Sequence, residues 1–209
     1  MPEPTQPAEF YKVLGPNRTA HLGTGTWPQC KRWTPEVADP VLCRRGWHLA
    51  RPEHLIEFLG YGQHIYTAEP HPEATVIDGD TKVVCSKARL LAETLWSPER
   101  ARLFAADCAE HVLHLYEARH PGDSRVRDCI AVSRRFALGL ATRSDLAAAE
   151  DAAGDAAWAA RDAAWAAAWA ARDAAWAAQR EWQNDRLLAY LHEPDLSVLL
   201  VSQEVAADA

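Results

Sequence analysis

An eleven-residue repeat constrains this chain more than any other feature. Residues 156–178 read AAWAARDAAWAAAWAARDAAWAA and use only four residue types. Trp158 maps onto Trp169, Arg161 onto Arg172, Asp162 onto Asp173 and Trp165 onto Trp176. Eleven residues make almost three helical turns, so equivalent positions drift little around the axis. At about 100° per residue the four tryptophans fall inside a stripe roughly 40° wide. Arg161 and Arg172 flank it on one side, Asp155, Asp162 and Asp173 on the other, and alanine fills the remaining circumference. Alanine has the best intrinsic helix propensity, so the segment needs little tertiary help to be helical.

A row of indoles is too large an apolar surface to leave in water. Burial, by the chain itself or by a partner, is therefore expected, and two uses of the stripe stay open. In one, the tryptophans are core beneath the preceding helices, with arginines stacked on the indole faces. In the other, Trp158, Arg161, Trp165, Trp169, Arg172 and Trp176 form a partner-binding surface, because Trp and Arg dominate interface hot spots. A homodimer joined along the stripe is a variant of the second use. Arg161, Asp162, Arg172 and Asp173 interrupt the segment that comes nearest to a membrane span, so no membrane partner is expected.

Composition changes at Trp96-Ser97-Pro98. Before it, glycine and proline are frequent, and the strand-like runs FYKVL (10–14), HIYTA (64–68) and TKVVC (81–85) are separated by turn chemistry such as Asp78-Gly79-Asp80. A short helix is expected in RPEHLIEFLG, with Pro52 in its first turn and Gly60 at its exit. After it, the signals are helical. Ser97-Pro98-Glu99 starts a helix, HPGD (120–123) stops one, Ser124 restarts a helix that ends near Gly139, and a third begins near Ser144 or Asp145 and runs to His192, before Glu193-Pro194. If unbroken, those roughly 48 residues span about 70 Å at 1.5 Å per residue, with Gly154 the one weak point.

Leu103, Phe104, Ala106, Cys108, Val112 and Leu115 make the apolar face expected of the first helix, and Val126, Ile130, Phe136 and Leu140 that of the second. The fold class is then α+β: a small α+β domain at 8–95, an all-helical domain at 97–193 whose last helix is long and rich in Ala and Trp, and a tail at 194–209. In the tail, LSVLLVSQ (196–203) reads equally as a strand or a short helix.

The chain has 209 residues and a formal net charge of −7. From Asp145 onward there are 12 acidic and 4 basic residues, against 17 and 18 before it. No basic stripe of the kind a phosphate backbone requires is present, and direct nucleic-acid binding is not expected. The five cysteines are odd in number and lack close pairing, which suits reduced thiols. MPEPTQPAEF has neither the basic start nor the apolar core of a secretory signal and reads as a short disordered leader. A cytoplasmic location follows as the expectation.

RLFAADCAEHVLHLYE, GDSRVRDCI, RRFALGLAT, the Ala/Trp/Arg repeat and EWQNDRLLAYL, in that order, resemble the helical domain of immunity proteins from bacterial polymorphic toxin systems. The resemblance covers about 98–191. Similar chains from actinobacteria and their phages carry a front end like VLCRRGWHLARPEHLIEFLG, a domain of unknown function. The resemblance implies a protein that binds and neutralises a toxin or effector without chemistry of its own, and it supplies no catalytic residues. A phage-encoded anti-defence or regulatory protein that binds a host complex is the alternative.

Enzyme chemistry has two weak footholds in the front domain. Cys30, Cys43, His48 and His54 have no closed zinc-site spacing, and Cys43 and His48 read better as lining a small core beside Trp47. Tyr11, the Gly46-Trp47-His48 step and Tyr66 leave an ADP-ribosyltransferase-like enzyme as a third alternative, with Glu69 or Glu73 to be nominated for the glutamate it needs. Gly23-Thr24-Gly25 lacks the lysine and helix start of a phosphate loop. His111 and His114 lie three apart on a predicted helix but lack a third ligand. No metal and no cofactor are expected.

Overall fold

A computed structural model describes residues 10–21, 25–164 and 172–200, with the side chains of 155–177 outside that description. An antiparallel sheet at the front is followed by helices, an α+β fold with a helical C-terminal region. By internal contacts the chain forms two compact units, one of Met1–Trp96 with Asn184–Ala209, the other of Ser97–Gln183.

Among the described residues, six strands build the first unit: β1 (Phe10–Leu14), β2 (Trp47–Ala50), β3 (His64–Pro70), β4 (Val76–Asp78), β5 (Lys82–Cys85) and β6 (Ala88–Glu93). They lie in the order β4-β5-β2-β1-β3-β6, each pair antiparallel. Period-two alternation sends Phe10, Leu14, Leu49, Ala68, Val83, Cys85 and Leu90 into one core cluster, closed by Trp27. Leu55 and Phe58, both buried, come from a 3-10 helix at Pro52–Tyr61, where the sequence predicts a short helix.

Gly46 is required where β2 begins. Its φ of +116° is a conformation L side chains rarely adopt, and a Cβ there would sit 2.6 Å from a Val84 methyl and 3.0 Å from the Cys85 carbonyl oxygen.

The end of the chain completes this unit. Asn184, only 5% exposed, donates from Nδ2 to the Glu53 carbonyl (2.5 Å) and accepts at Oδ1 from the Ile56 N–H (2.9 Å), which satisfies two polar groups of the 3-10 helix. Leu187, Tyr190 and Leu191 are buried, and the Leu95 N–H donates to the Leu191 carbonyl. The tail ambiguity resolves toward helix, since residues 196–200 are helical and Leu199 is buried.

The second unit holds α1 (Pro98–His111), α2 (Leu113–Glu117), α3 (Arg125–Ala137), α4 (Arg143–Ala164) and the first part of α5 (Arg172–His192). Ser97 caps α1, its Oγ accepting from the Arg100 N–H. α3 ends in a Schellman motif: Gly139 takes φ +73°, its N–H donates to the Phe136 carbonyl, and the Leu140 N–H donates to the Arg135 carbonyl. Thr142 and Asp145 form a reciprocal capping box at the start of α4, the Asp145 N–H donating to Thr142 Oγ1 and the Thr142 N–H to Asp145 Oδ2.

Ala106, Leu113 and Ile130 form the helical core, with Tyr116 and Val126 packed beside it. The predicted apolar faces need correction at their ends. Val112 (38%), Leu115 (59%) and Leu140 (65%) are exposed, because α1 stops at His111 and α3 at Ala137, which takes these residues off the buried faces.

Candidate functional site

The helical unit presents the first candidate. Of the predicted contact residues, Trp165 and Trp169 lie outside the described residues. Trp158 and Arg161 stand on α4 and Arg172 and Trp176 on α5, with their side chains outside the description. What the structure does fix is the frame around the repeat. His111 at the end of α1 stacks on Trp182, six residues beyond Trp176, with ring centroids 3.8 Å apart and planes 14° from parallel. Burial first, then the neighbouring His114, pushes the His111 pKa down, so the stacked ring is neutral.

An ion-pair cluster joins α1 to α3. Arg134 donates from Nη2 to Asp107 Oδ1 (2.9 Å) and to Glu110 Oε2 (2.5 Å), and the Asp107 side chain is fully buried. One nitrogen of the guanidinium, Nη2, thus serves two carboxylates from successive turns of α1.

The front unit presents the second candidate, a cleft of about 600 Å³. It opens where the sheet is incompletely zipped. β1 pairs with β3 over five positions and β2 with β5 over four, yet β1 and β2 meet only at Tyr11↔Ala50. The lining takes Lys12 and Val13 from β1, Trp47, His48 and Leu49 from β2, and Lys82 from β5. Lys12 is pushed down to about 8, by burial first and by Lys82 second.

His48 is tied to its own loop. Its Nε2 accepts from the Cys43 N–H (2.9 Å) and its Nδ1 faces the Gly46 carbonyl (3.1 Å), the pattern of a neutral ring protonated at Nδ1. Burial, then Lys12 and Lys82, lower its pKa. Cys43 is exposed rather than part of a core beside Trp47, because it sits at φ +62° in the turn that presents its N–H to His48. His54 pairs instead with Glu57, and among the described residues no three His, Cys, Asp or Glu side chains converge as metal ligands do.

Of the residues nominated for an ADP-ribosyltransferase site, Tyr11 and the Gly46-Trp47-His48 step line the cleft, while Tyr66, Glu69 and Glu73 do not. Tyr11 Oη and His192 Nε2 share a hydrogen bond (2.6 Å), Tyr66 is packed in the sheet core, Glu69 is engaged by Arg89 (2.6 Å), and Glu73 is exposed. No carboxylate lines the cleft among the described residues. Sequence reasoning passed over Lys12 and Lys82. The available signal was a lysine at the centre of FYKVL, a strand whose four other residues are all apolar.

Residues 97–189 match the family model described as Imm-5 like putative immunity protein. The match spans the helical region, starts at the cap of α1 and runs into the last turns of α5. No curated protein and no solved structure matches the chain. No described helix is long and apolar enough to cross a membrane.

Proposed function

We propose that the protein is a non-catalytic inhibitor of the immunity type, which binds a toxin or effector protein and neutralises it by covering a working surface. The match of 97–189 to an immunity-protein family model is the observation that carries this reading. The acidic surplus from Asp145 onward favours a basic partner face, such as a nuclease built to grip phosphate. Trp158, Arg161, Trp165, Trp169, Arg172 and Trp176 are the proposed contact residues, and the cytoplasm is the proposed location. Association of two copies along the repeat belongs to the same reading and would show as a doubled mass in solution.

The test is affinity capture of the tagged full chain from its native lysate, beside a Trp165→Ala/Trp169→Ala double variant checked for native helicity. A stoichiometric protein retained by the parent and lost by the folded variant is the expected result. Equal capture by both would remove the repeat from the interface, and loss of helicity in the variant would make the tryptophans core.

A further inference from the structure

The unzipped sheet in the front unit has a chemical bias that the immunity reading does not use. The chain is acidic overall, at −7, yet the cleft lining carries Lys12, Arg44 and Lys82 with no aspartate or glutamate among the described residues. Neither lysine has a described ion-pair partner. Lys12 Nζ faces the Trp27 ring at 5.3 Å and Lys82 Nζ the Phe58 ring at 5.8 Å. Two ammonium groups that oppose each other's charge, set against rings rather than carboxylates, leave an unmet demand for an anion.

The walls add a second requirement. Tyr61, 39% exposed, stacks on His21 with centroids 4.4 Å apart and planes 7° from parallel, and Trp47 meets Trp27 edge to face at 4.9 Å. The solvent-facing Tyr61–His21 pair extends naturally by one more planar ring. Beyond Tyr11↔Ala50 the strands β1 and β2 are not paired, and the cleft lies between them. A volume of about 600 Å³ lies in the range of small-molecule sites.

We propose that this cleft binds a phosphorylated nucleoside, with its phosphates held by Lys12 and Lys82 and its base stacked on the Tyr61–His21 pair. Arg44 supplies further positive charge at the lining. Such a site would make the front unit a nucleotide-binding module alongside the partner surface proposed for the helical unit. It involves no bond making or breaking.

The test is calorimetric titration of the full chain with ADP, GDP, CDP and UDP in turn, and with the matching nucleoside and pyrophosphate as separated halves of the ligand. Saturable binding of at least one diphosphate is expected, with each half binding at least tenfold more weakly. Lys12→Met should weaken nucleotide binding at least tenfold while raising the melting temperature, since it removes an unpaired, poorly solvated cation. Lys82→Gln repeats the test independently of folding at Lys12. Tyr61→Ala should weaken the nucleotide and leave pyrophosphate unchanged.

Because Lys12 deprotonates near 8, faced by Lys82 from β5 and His48 from β2, affinity should fall about tenfold between pH 7 and 9. Three results overturn the proposal: no binding of any of the four at millimolar concentration, full binding by both lysine variants, or pyrophosphate binding as tightly as the nucleotide, which marks a bare anion site.

Discussion

The two units of this protein reach order by opposite routes. In the front unit, strands far apart in sequence bury Leu14, Leu49, Ile65, Val83 and Val84 completely. In the helical unit, Leu103, Phe104, Ala106, Leu113, Ile130, Ala137 and Leu146 are buried, helix ends are closed by Ser97, Gly139 and Thr142, and one guanidinium is shared by two carboxylates. The sheet joins strands distant in sequence, and the helices add local caps and charged contacts to their buried faces. A unit of the first kind suits a fixed cavity. A unit of the second kind suits a long, repetitive surface whose spacing is written directly in the sequence.

Arg134 offers the largest test of this contrast. Arg134→Ala removes a cation held against the fully buried Asp107 carboxylate, and should destabilise the helical unit by about 3–5 kcal/mol in urea unfolding. Arg134→Lys keeps one nitrogen cation for both carboxylates, the arrangement Nη2 makes, and should recover most of that loss. Stability left unchanged in Arg134→Ala would mean the helical unit does not rely on this cluster.

Next in size, Leu49→Ala should cost about 2–5 kcal/mol, since it opens a void in the sheet core at a residue with no solvent exposure. Leu115→Ala removes the same atoms from a 59% exposed site, and should change the unfolding free energy by less than about 0.5 kcal/mol. The pair together asks whether large apolar residues matter more in the sheet than at the helix ends. A larger loss at Leu115 would reverse the comparison and point to a covering partner.

Legibility in the sequence followed the same division. FYKVL became β1 over the residues expected, since alternation and turn chemistry agreed, and the Ser97 cap formed as its residue type requires. β6 was missed because ARLLAE is composed of good helix formers, and only pairing with β3 makes it a strand. Nothing local marks Asn184 as the side chain that holds the 3-10 helix 128 residues away. The cleft was hidden for a related reason, since it depends on β1 and β2 failing to pair beyond Tyr11↔Ala50. The repeat was legible as helix over its described parts, 156–164 and 172–178, and its use was not, because an aromatic stripe has the same spacing whether it meets its own core or another protein.

Two smaller effects sharpen the contrast. Ser97→Ala removes the hydroxyl that accepts from the Arg100 N–H and should cost about 1 kcal/mol, confined to the start of α1 and visible as faster amide exchange there.

The last effect is a pH response. Burial lowers the pKa values of His48 and His192 in the front unit and of His111 in the helical unit. A histidine with a depressed native pKa binds fewer protons when folded than when unfolded, so its contribution declines as pH falls through the unfolded value of about 6.5. The carboxylates Asp123, Asp145 and Asp195 are shifted down as well, and they lose their native advantage only below about pH 4. Between pH 7 and 5 the histidines therefore act without them. Tyr11, pushed up to about 12 by burial, keeps its proton throughout and stays hydrogen-bonded to His192. The urea midpoint should drop between pH 7 and 5, and His192→Gln, which cannot take up a proton, should shrink that drop. Amide exchange at the two pH values should show the front unit, with two of the three histidines, loosening before the helical one. Loosening of the helical unit first would place the acid-sensitive contact at the His111–Trp182 stack instead.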